Sequence, residues 1–543
     1  MERHSVKLIW CLLLFIFSNY VLLSATAAGT PASGKSSSSK VQISEKKSIL
    51  FLLPLSSKSH KHVFEPLIRG LADKGHEIIV IAATKSSNMP PNVREIVVVK
   101  DEEIFDDWTD PLENRKKGKF GSLFMDLNFA IRVCDKVYTS PEIQDLMKTH
   151  KNKFDLAFVD LILNQCFYGM LTYFEAPFIS LATLPPWNVI SQQLGTHLPP
   201  SFVPLPFFTL PEKMNFLQRV RNNLFDWIVP YILRHFYTSK LEAVYQKHLG
   251  SHYPTAEEIE ANASMMLTNS HFSLNPKMPL LPDIVEVGGM HLRESKPLPK
   301  ELETFFSDAK DGIILFSLGS IVRAKNMPEE TRKTFLRVFA KLKQKVIWKW
   351  ETDSMPDTPP NVKISKWLPQ QDILAHPNIK LFMTHGGLLS VQEAVYHGVP
   401  LLGLPVFGDQ DINIAQAENS GFALSQEILE VNEDELLAKI NRLLTENQFR
   451  DKIKQLSKVM RDQPQSPLER SLFWSEYVMR HKGASHLRSP ARDLNWIQYH
   501  SLDVVAFVLF IVSTTVLLIF CAIRKLCCSS KKISEKDRKK KQK

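Results

Sequence analysis

Residues 380–387 combine an apolar run with side chains and backbone suited to binding an anion. The run at 380–384 is followed by His385, Gly386 and Gly387, and then by ten residues with a helical pattern. Adjacent glycines let the backbone approach a phosphate closely, and the free N–H groups of a first helical turn carry the positive end of the helix dipole. The pattern predicts a strand, a tight turn and a helix whose N-terminus faces a phosphate or a nucleotide.

A carboxylate and an amide follow at a place where they would face the same ligand. Asp409 and Gln410 come shortly after a second apolar run, residues 400–405. Because the carboxyl ends of parallel strands meet at one edge of a sheet, we expect both side chains to lie beside the glycine turn.

His60 and Asp160 are the candidates for acid–base chemistry. His60 lies in a predicted loop, residues 56–62, after the first apolar strand, and Asp160 ends another apolar strand at 154–159. A carboxylate that hydrogen-bonds one imidazole nitrogen fixes the tautomer and leaves the other nitrogen as a general base. The residues alone also allow a simpler interpretation, in which His60 is an ordinary loop residue and Asp160 caps a helix.

Two groups of alternating strands and helices would position these residues. In the first group, apolar strands at 48–55 and 77–82 flank a segment with helical periodicity, and in the second, strands at 312–318 and 346–350 flank another. Such alternation predicts an α/β protein built on parallel sheets. The length of 543 residues exceeds what one hydrophobic core usually holds, so two domains are expected.

The whole stretch from Trp367 to Gln410 closely resembles the signature of the UDP-glycosyltransferases. It contains, in the family's order and at its intervals, Trp-Leu-Pro-Gln, His-Gly-Gly, Glu393, His-Gly-Val-Pro and Asp-Gln. The resemblance implies a GT-B fold, in which two doubly wound parallel-sheet domains face a cleft, with the acceptor in the first domain and the UDP-sugar in the second. It also implies that no metal ion or other cofactor is required, because helix dipole and neutral donors stabilise the departing UDP.

The resemblance assigns a role to each candidate. It implies uracil stacking by Trp367, ribose contacts by Gln370 and Glu393, diphosphate contacts by Ser320, His385, Gly386 and Gly387, and sugar contacts by Asp409 and Gln410. His60 is selected over His62 as the base because the family's catalytic histidine lies sixteen residues before the histidine of Gly-His-Glu. Asp160 is then its partner. The chain departs from many vertebrate members in having Leu-Ser where they have Asn-Gly after His-Gly-Gly-x, which removes one contact to the phosphates.

The implied reaction is a single displacement with inversion, which moves a hexose to a hydroxyl of a small lipophilic acceptor, as in detoxification by conjugation. Glucose is favoured because the Leu-Leu-Ser after His-Gly-Gly looks invertebrate, with glucuronic acid as the alternative donor sugar. Two other classes remain open: a membrane-tethered lipophile carrier without catalysis, and an enzyme that uses a lipid-linked sugar. The sequence does not determine whether the chain forms homo- or hetero-oligomers.

The basic charge of the chain is concentrated at its C-terminus. Of the formal net charge of +10, a net +8 lies in residues 524–543, so the charge gives no indication of nucleic-acid binding. A twenty-residue apolar segment before this tail predicts a membrane helix with the tail in the cytosol. The final Lys-Lys-Gln-Lys resembles the dilysine signal of type I proteins of the endoplasmic reticulum, whose other domains are luminal. A basic tail that lies on anionic lipid is the alternative interpretation, and the two are compatible.

The predicted organisation follows from these features and from a cleavable apolar N-terminus. The segments are a signal peptide 1–28, a flexible leader 29–47, an acceptor-binding domain 48–275, a linker 276–300, a UDP-sugar-binding domain 301–480, a juxtamembrane segment 481–503, a transmembrane helix 504–523 and a basic tail 524–543.

Three further features of the predicted luminal part bear on its surroundings. Cys134 and Cys166 are its only cysteines, and they form either one disulfide or two buried thiols, without metal-ligand spacing. Asn262 begins a glycosylation sequon. Residues 199–236 are rich in aromatic and aliphatic side chains with arginines between them. They predict either a buried helix pair or a membrane-surface segment that also lines a lipophilic pocket.

Overall fold

The computed structural model describes residues 45–100, 110–117, 128–206 and 208–540. The predicted signal peptide, most of the predicted leader and the last three residues of the tail, with part of the dilysine-like sequence, lie outside the described residues. Apolar strands alternate with helices and form two parallel sheets of seven and six strands. The predicted α/β architecture is therefore confirmed.

The first sheet has the spatial order β3-β2-β1-β4-β5-β6-β7. Leu50 and Leu52 pack on one side of β1, and Ile49, Phe51 and Leu53 pack on the other, because successive side chains of a strand point to opposite faces. Both faces of the sheet are thus buried, which explains the continuous apolar run. Its strands are β1 Ser48–Leu53, β2 Glu77–Ala82, β3 Val93–Ile96, β4 Leu156–Asp160, β5 Phe178–Ala182, β6 Met265–Thr268 and β7 Ile284–Glu286.

The second sheet repeats this arrangement in the order β10-β9-β8-β11-β12-β13. Alternate residues of its central strand β8 also belong to cores on opposite faces, with Phe316 on one side and Leu315 on the other. Its strands are β8 Ile313–Ser317, β9 Lys345–Lys349, β10 Val362–Ser365, β11 Ile379–Thr384, β12 Leu401–Gly403 and β13 Ala423–Ser425.

Helices connect the strands and cover both sheets. Those before β8 are α1 Lys58–Asp73, α2 Pro111–Arg115, α3 Asn128–Thr139, α4 Pro141–Thr149, α5 Tyr168–Phe174, α6 Asn188–Ser191, α7 Phe216–Ile232, α8 Ser239–Leu249, α9 Ala256–Glu260 and α10 Lys300–Ser307. The later ones are α11 Glu329–Ala340, α12 Gln370–Leu374, α13 Leu388–His397, α14 Gln410–Asn419, α15 Glu433–Thr445, α16 Asn447–Arg461, α17 Pro467–Arg480, α18 Trp496–Tyr499 and α19 Leu502–Lys540.

Helix α1 begins earlier than the sequence pattern indicated. The Ser57 side chain caps it by accepting the backbone N–H of His60 at 3.4 Å. His60 therefore lies in the first turn of a helix, and the prediction that it lies in a loop is wrong. The reason is that the apolar periodicity of α1 starts only at Val63, one turn after the helix itself.

The predicted linker, residues 276–300, contains a strand of the first sheet. Strand β7 pairs in parallel with β6, so the connection between the sheets begins only after Glu286. The strand has three residues and lies between prolines and glycines, which concealed its pattern in the sequence.

The C-terminal part of the chain returns to the first sheet. Leu472 of α17 packs against Gly70 of α1, and Glu476 forms an ion pair with Lys74 at 2.8 Å. Beyond α17, Arg492 pairs with the buried Asp283 at 2.6 Å. The segment assigned by sequence to the second domain thus ends in a helix that packs on the first domain.

Two apolar helices differ from the rest in being exposed. Residues Leu502–Leu526 of α19 have a mean hydropathy of 2.9 and are long enough to cross a membrane, and they include the predicted span 504–523. In α7, Leu217 and Trp227 are 75% and 60% exposed. The interpretation of residues 199–236 as a buried helix pair is therefore wrong.

Candidate active site

A cleft of about 740 Å³ is lined by residues from both sheets and their helices. The first half of the chain contributes the start of α1, with His60, and the second half contributes the turn after β8 and the N-terminal ends of three helices. Asp160 and Gly386 lie behind this surface. Of the predicted donor-binding residues, those that line the cleft are Ser320, Trp367, Gln370, His385, Gly387, Glu393, Asp409 and Gln410.

The buried carboxylate of Asp160 holds His60 in place. Asp160 is the last residue of β4, and its Oδ2 lies 3.1 Å from Nδ1 of His60. The same oxygen accepts a hydrogen bond from the Ser56 hydroxyl at 2.6 Å, and Oδ1 accepts the N–H of Ile162 at 3.1 Å. With Nδ1 engaged, Nε2 of His60 is the nitrogen available to a substrate in the cleft.

The environment of His60 favours its protonated form. Burial lowers the pKa of His60, but the hydrogen bond and charge of Asp160, with the charge of Asp409, outweigh burial and raise it. The imidazolium that a general base becomes is thereby stabilised. His62 also lines the cleft, but residues two apart on a helix face different directions, and the ring of His62 lies 6.2 Å from that of His291.

The turn between β11 and α13 has the geometry of an anion site. Gly386 has φ = +88°, a conformation that favours glycine, and a Cβ on Gly387 would lie 2.7 Å from Nε2 of His385. Gly387 is the N-cap of α13 and has no side chain to cap the first turn, in which the N–H of Leu388 faces the carboxylate of Asp409. The positive end of the helix dipole therefore faces the cleft.

His385 is a neutral hydrogen-bonding group beside this turn. Burial and the nearby charge of Lys349 lower the pKa of His385 to about 4. Lys349 is the last residue of β9, and its ammonium donates to the carbonyl of Gly319. It thereby fixes the turn that presents Ser320 to the cleft.

Glu393 and Gln370 form a hydrogen-bonded pair in the lining of the cleft. Nε2 of Gln370 donates to Oε2 of Glu393 at 2.6 Å and to the Ser390 hydroxyl at 3.0 Å. Burial raises the pKa of Glu393 to about 7, although Gln370 and the charge of Arg293 oppose this shift. When ionised, the carboxylate suits two vicinal hydroxyls, because it can accept a hydrogen bond on each oxygen.

Asp409 lies between the glycine turn and His60. Nδ2 of Asn413 donates to Asp409 Oδ2 at 2.6 Å and to the carbonyl of Gly386 at 3.0 Å. Burial raises the pKa of Asp409, while Asn413, the charge of His60 and the N–H of Leu388 partly offset the effect. A carboxylate of the second half thus approaches the histidine of the first half across the cleft.

Two predicted contact residues are partly engaged with protein groups. Oε1 of Gln410 accepts the N–H groups of Val406 and Phe407 at 2.9 and 3.0 Å, which leaves its Nε2 for the predicted sugar contact. The Trp367 indole is 65% exposed, and the ammonium of Lys58 lies 4.8 Å from its ring centre. A base that stacks on that face of Trp367 has to displace Lys58.

Sequence reasoning missed several residues of the site. Lys349 lies at the end of a strand. This criterion identified Asp160 in the sequence, and it would also have identified Lys349. His291 lies with Nε2 3.7 Å from Glu393 and follows Gly-Gly-Met, a pattern typical of a turn. Nothing in the sequence connects Ser56 to Asp160, because their contact depends on the pairing of β1 with β4.

A short helix from the first half also binds the second half. Leu112 of α2 is buried in the second core, and the Arg115 side chain is 3% exposed. Arg115 pairs with Asp411 at 2.6 Å and with Glu427 at 2.7 Å, in both cases through two nitrogens. Because Asp411 lies in the first turn of α14, this contact supports the helix that begins with Gln410.

The remaining predicted features do not belong to the cleft. Cys134 and Cys166 form a disulfide, which decides between the two alternatives. Asn262 is exposed, and its side-chain amide donates to the carbonyl of Glu258 at 2.9 Å. Among the described residues there is no cluster of three or more metal-binding side chains.

The chain belongs to the UDP-glycosyltransferase family. The family model described as UDP-glucoronosyl and UDP-glucosyl transferase matches residues 50–540. A UDP-glycosyltransferase of Dactylopius coccus, UGT5, is 35% identical over 88% of this chain and 91% of its own length. Human UDP-glucuronosyltransferase 2B17 is 34% identical over 87% of this chain and 93% of its own length. The chain is therefore a UDP-glycosyltransferase enzyme.

Solved structures share its fold at low sequence identity. A UDP-glucosyltransferase from Polygonum tinctorium has a TM-score of 0.56 and 14% identity, and the match covers 80% of this chain and 99% of that enzyme's chain. The calicheamicin glycosyltransferase CalG4 has a TM-score of 0.54 and 17% identity, with coverages of 81% and 100%. These likenesses confirm the predicted GT-B fold.

Proposed function

We propose that this enzyme transfers a hexose from a UDP-sugar to a hydroxyl of a small lipophilic acceptor, with inversion at the anomeric carbon, as in detoxification by conjugation. The observation that carries the proposal is the placement of His60, backed by the buried Asp160, opposite Asp409 and the glycine turn. A base and a phosphate-binding helix on opposite sides of one cleft suit an in-line displacement, in which nucleophile and leaving group lie on opposite faces of the reacting carbon.

In the proposed mechanism, Nε2 of His60 removes the proton of the acceptor hydroxyl as its oxygen attacks. Asp160 holds the tautomer and stabilises the imidazolium. The first turn of α13, with the neutral His385, stabilises the charge on the departing diphosphate. These groups need no metal ion for the transfer.

The proposed donor contacts follow the position of each side chain in the cleft. The indole of Trp367 provides a flat apolar face for uracil, and Glu393 provides two acceptor oxygens for the ribose hydroxyls. The full proposed set is Trp367 for the base, Gln370 and Glu393 for the ribose, Ser320, His385, Gly386 and Gly387 for the diphosphate, and Asp409 and Gln410 for the sugar.

We propose glucose as the donor sugar and the membrane of the endoplasmic reticulum as the location, with the two sheets luminal. The donor proposal is supported by the invertebrate-like Leu-Leu-Ser sequence and by the similarity to an insect protein named UDP-glucosyltransferase 2, which is 33% identical over 89% of this chain. The location is supported by the apolar helix α19, by the Cys134–Cys166 disulfide, which suits an oxidising compartment, and by the dilysine-like C-terminus.

Mass spectrometry of products tests the donor proposal. The full chain is expressed in membranes and supplied with a simple phenol and either UDP-glucose or UDP-glucuronic acid. The expected result is a glucoside from UDP-glucose, and a glucuronide alone would overturn the choice of sugar. Saturable UDP binding without any conjugate would favour the lipophile carrier, which is the alternative function.

A further inference from the structure

Helix α7 reverses the usual distribution of side chains on a protein surface. Its buried residues are the polar Asn222 and Asp226. The large apolar side chains of the helix are between 39% and 75% exposed: Phe216, Leu217, Val220, Leu224, Phe225, Trp227, Ile228, Tyr231 and Ile232. Of these, Phe225 also packs against the buried Phe208, with the ring centres 4.7 Å apart. Soluble surfaces rarely expose a continuous apolar face of this kind, so another phase or molecule is expected to cover it.

The buried polar residues attach α7 firmly to the first domain. Nδ2 of Asn222 donates to the carbonyls of Pro200 and Val203 at 2.7 and 2.8 Å, and its Oδ1 accepts the N–H of Leu205 at 2.9 Å. Asp226 accepts hydrogen bonds from Asn188 at 2.8 Å. These bonds fix the rotation of α7 about its axis, so exposure of the apolar face is a built feature of the fold.

Asn188, which binds α7, also connects this helix to the segment that precedes the membrane helix. Asn188 also donates to the carbonyl of Leu198 at 2.9 Å, and the ring of the adjacent His197 lies 3.9 Å from that of Tyr499. Tyr499 ends α18, and the membrane helix α19 begins three residues later. In α18 itself, Trp496 is 52% exposed. Helix α7 is thus attached to the segment that meets the bilayer.

Basic residues accompany the apolar face. Arg219 and Arg221 are exposed on α7, with the guanidinium of Arg221 4.0 Å from the ring centre of Phe208. Arg234 follows in the next turn and forms an ion pair with Glu257 at 2.9 Å. Arginines beside an exposed aromatic and aliphatic face are typical of helices that lie at a lipid surface, where the guanidinium groups reach the phosphates.

We propose that α7 is a second membrane contact of this protein, lying in the headgroup region of the bilayer that α19 crosses, with its apolar face toward the acyl chains. A bilayer covers all the exposed apolar side chains of α7. The adjoining α18 and α19 place that bilayer next to the helix. The contact orients the first domain on the membrane. It does not depend on the transfer reaction.

Fluorescence quenching in bilayers tests this contact on the full chain. Cys521, Cys527 and Cys528 are replaced by serine, and an environment-sensitive fluorophore is placed at one new cysteine: Leu217→Cys in α7, Leu502→Cys at the start of α19, or Val459→Cys in α16. Each protein is reconstituted at one copy per phosphatidylcholine nanodisc, with and without phosphatidylserine, and with lipids that carry a quencher near the headgroup. The disulfide-bonded cysteines do not react with the label.

The expected result is loss of fluorescence at Leu217 equal to that at Leu502 and larger than that at Val459, with a further loss when phosphatidylserine is present. Two results would overturn the proposal. Quenching at Leu217 no greater than at Val459, with full access of iodide from the water phase, would show an uncovered helix. If neither the lipid quencher nor iodide reduces fluorescence at Leu217, protein covers the apolar face. If this protection appears only with two copies per disc, the covering protein is a second copy of the chain.

Discussion

The bond between His60 and a fully buried carboxylate gives the site a defined response to pH. A general base acts when neutral, and Asp160 raises the pKa of His60 despite burial. The rate of transfer should therefore rise with pH as His60 loses its proton, with a midpoint at a higher pH than the pKa of an unperturbed histidine.

Replacing Asp160 by asparagine tests this relation. The Asp160→Asn enzyme should have a kcat lower by about 10²–10⁴-fold, because the tautomer is no longer fixed and the imidazolium is no longer stabilised. The acidic limb of its kcat–pH profile should also move to lower pH, since the charge that raised the pKa is gone. Asp155→Asn is the control, because Asp155 binds Lys47 and the N–H of Ser48 away from His60. An unchanged profile in Asp160→Asn would contradict the pairing.

In the proposed mode of donor binding, Glu393 provides a second pH-dependent step. Its pKa is raised to about 7, so its ionised form is lost as the pH falls through that value. Affinity for uridine, which carries no phosphate to titrate, should decrease from about pH 8 to about pH 6 when followed by calorimetry. In Glu393→Gln the affinity should be lower and independent of pH over that range. If the affinity of the wild-type enzyme for uridine does not vary with pH, Glu393 does not bind the ribose.

Single residues were predictable from sequence where a strand end or a motif marked them. Asp160, His385 and Asp409 follow buried strands, so their type and position indicated the edge of a sheet. Ser56 and Lys58 could not be predicted in this way, because their contacts arise only when β1 pairs with β4 and when the two halves face each other.

At the scale of elements, α2 links the halves through one buried arginine. Removing the Arg115 side chain leaves Asp411 and Glu427 without their shared cation, and breaking a buried pair typically costs about 3–5 kcal/mol. The Arg115→Met protein should unfold at a lower temperature and have a higher KM for the UDP-sugar, because α14 loses its support. Differential scanning calorimetry and initial rates measure the two effects.

The neighbouring Lys116→Met provides the matched control for α2. Lys116 pairs with Glu113 at the surface, and both side chains are about half exposed, so its loss should change neither quantity measurably. Equal behaviour of the two variants would mean that α2 does not join the halves in solution.

Element boundaries show where sequence patterns are insufficient. Strand β2 lies where its apolar run predicts it, from Glu77 to Ala82. Helix α1 starts before its apolar stripe, because capping by Ser57 rather than packing fixes its first turn. Strand β7 has only three residues, too few for periodicity, and its place in the sheet depends on pairing with β6.

At the scale of the whole molecule, α7 connects the membrane side to the cleft. The loop that Asn222 holds contributes Val203 and Leu205 to a small apolar cavity of about 50 Å³ that also reaches Asp409. If Asp409 holds the sugar as proposed, this cavity adjoins the proposed site of transfer.

Loss of the Asn222 contacts should therefore affect the acceptor more than the donor. Asn222→Ala should raise KM for a lipophilic phenol and leave KM for the UDP-sugar unchanged. Asn223→Ala is the control, since the Asn223 amide binds only within the helix, to the carbonyl of Arg219 at 2.8 Å. Parallel increases of both KM values in Asn222→Ala would show a general loss of structure instead.

The two-sheet architecture was predictable because its alternation of strands and helices is local in sequence. The return of α17 to the first domain and the exposed face of α7 were not fixed by such patterns. An apolar helix has the same composition whether it faces a core or a bilayer, and only the hydrogen bonds of Asn222 and Asp226 establish which side faces outward.

The most direct measurement compares His60→Ala with His62→Ala in the full-length enzyme, following product by mass spectrometry, anomeric configuration by NMR and UDP binding by calorimetry. The two histidines lie in the same turn of α1, but only His60 contacts Asp160. We predict that His60→Ala loses transfer by at least about 10²-fold and still binds UDP, that His62→Ala retains transfer, and that the wild-type product is inverted. Normal turnover in His60→Ala, or a product with retained configuration, would contradict the mechanism.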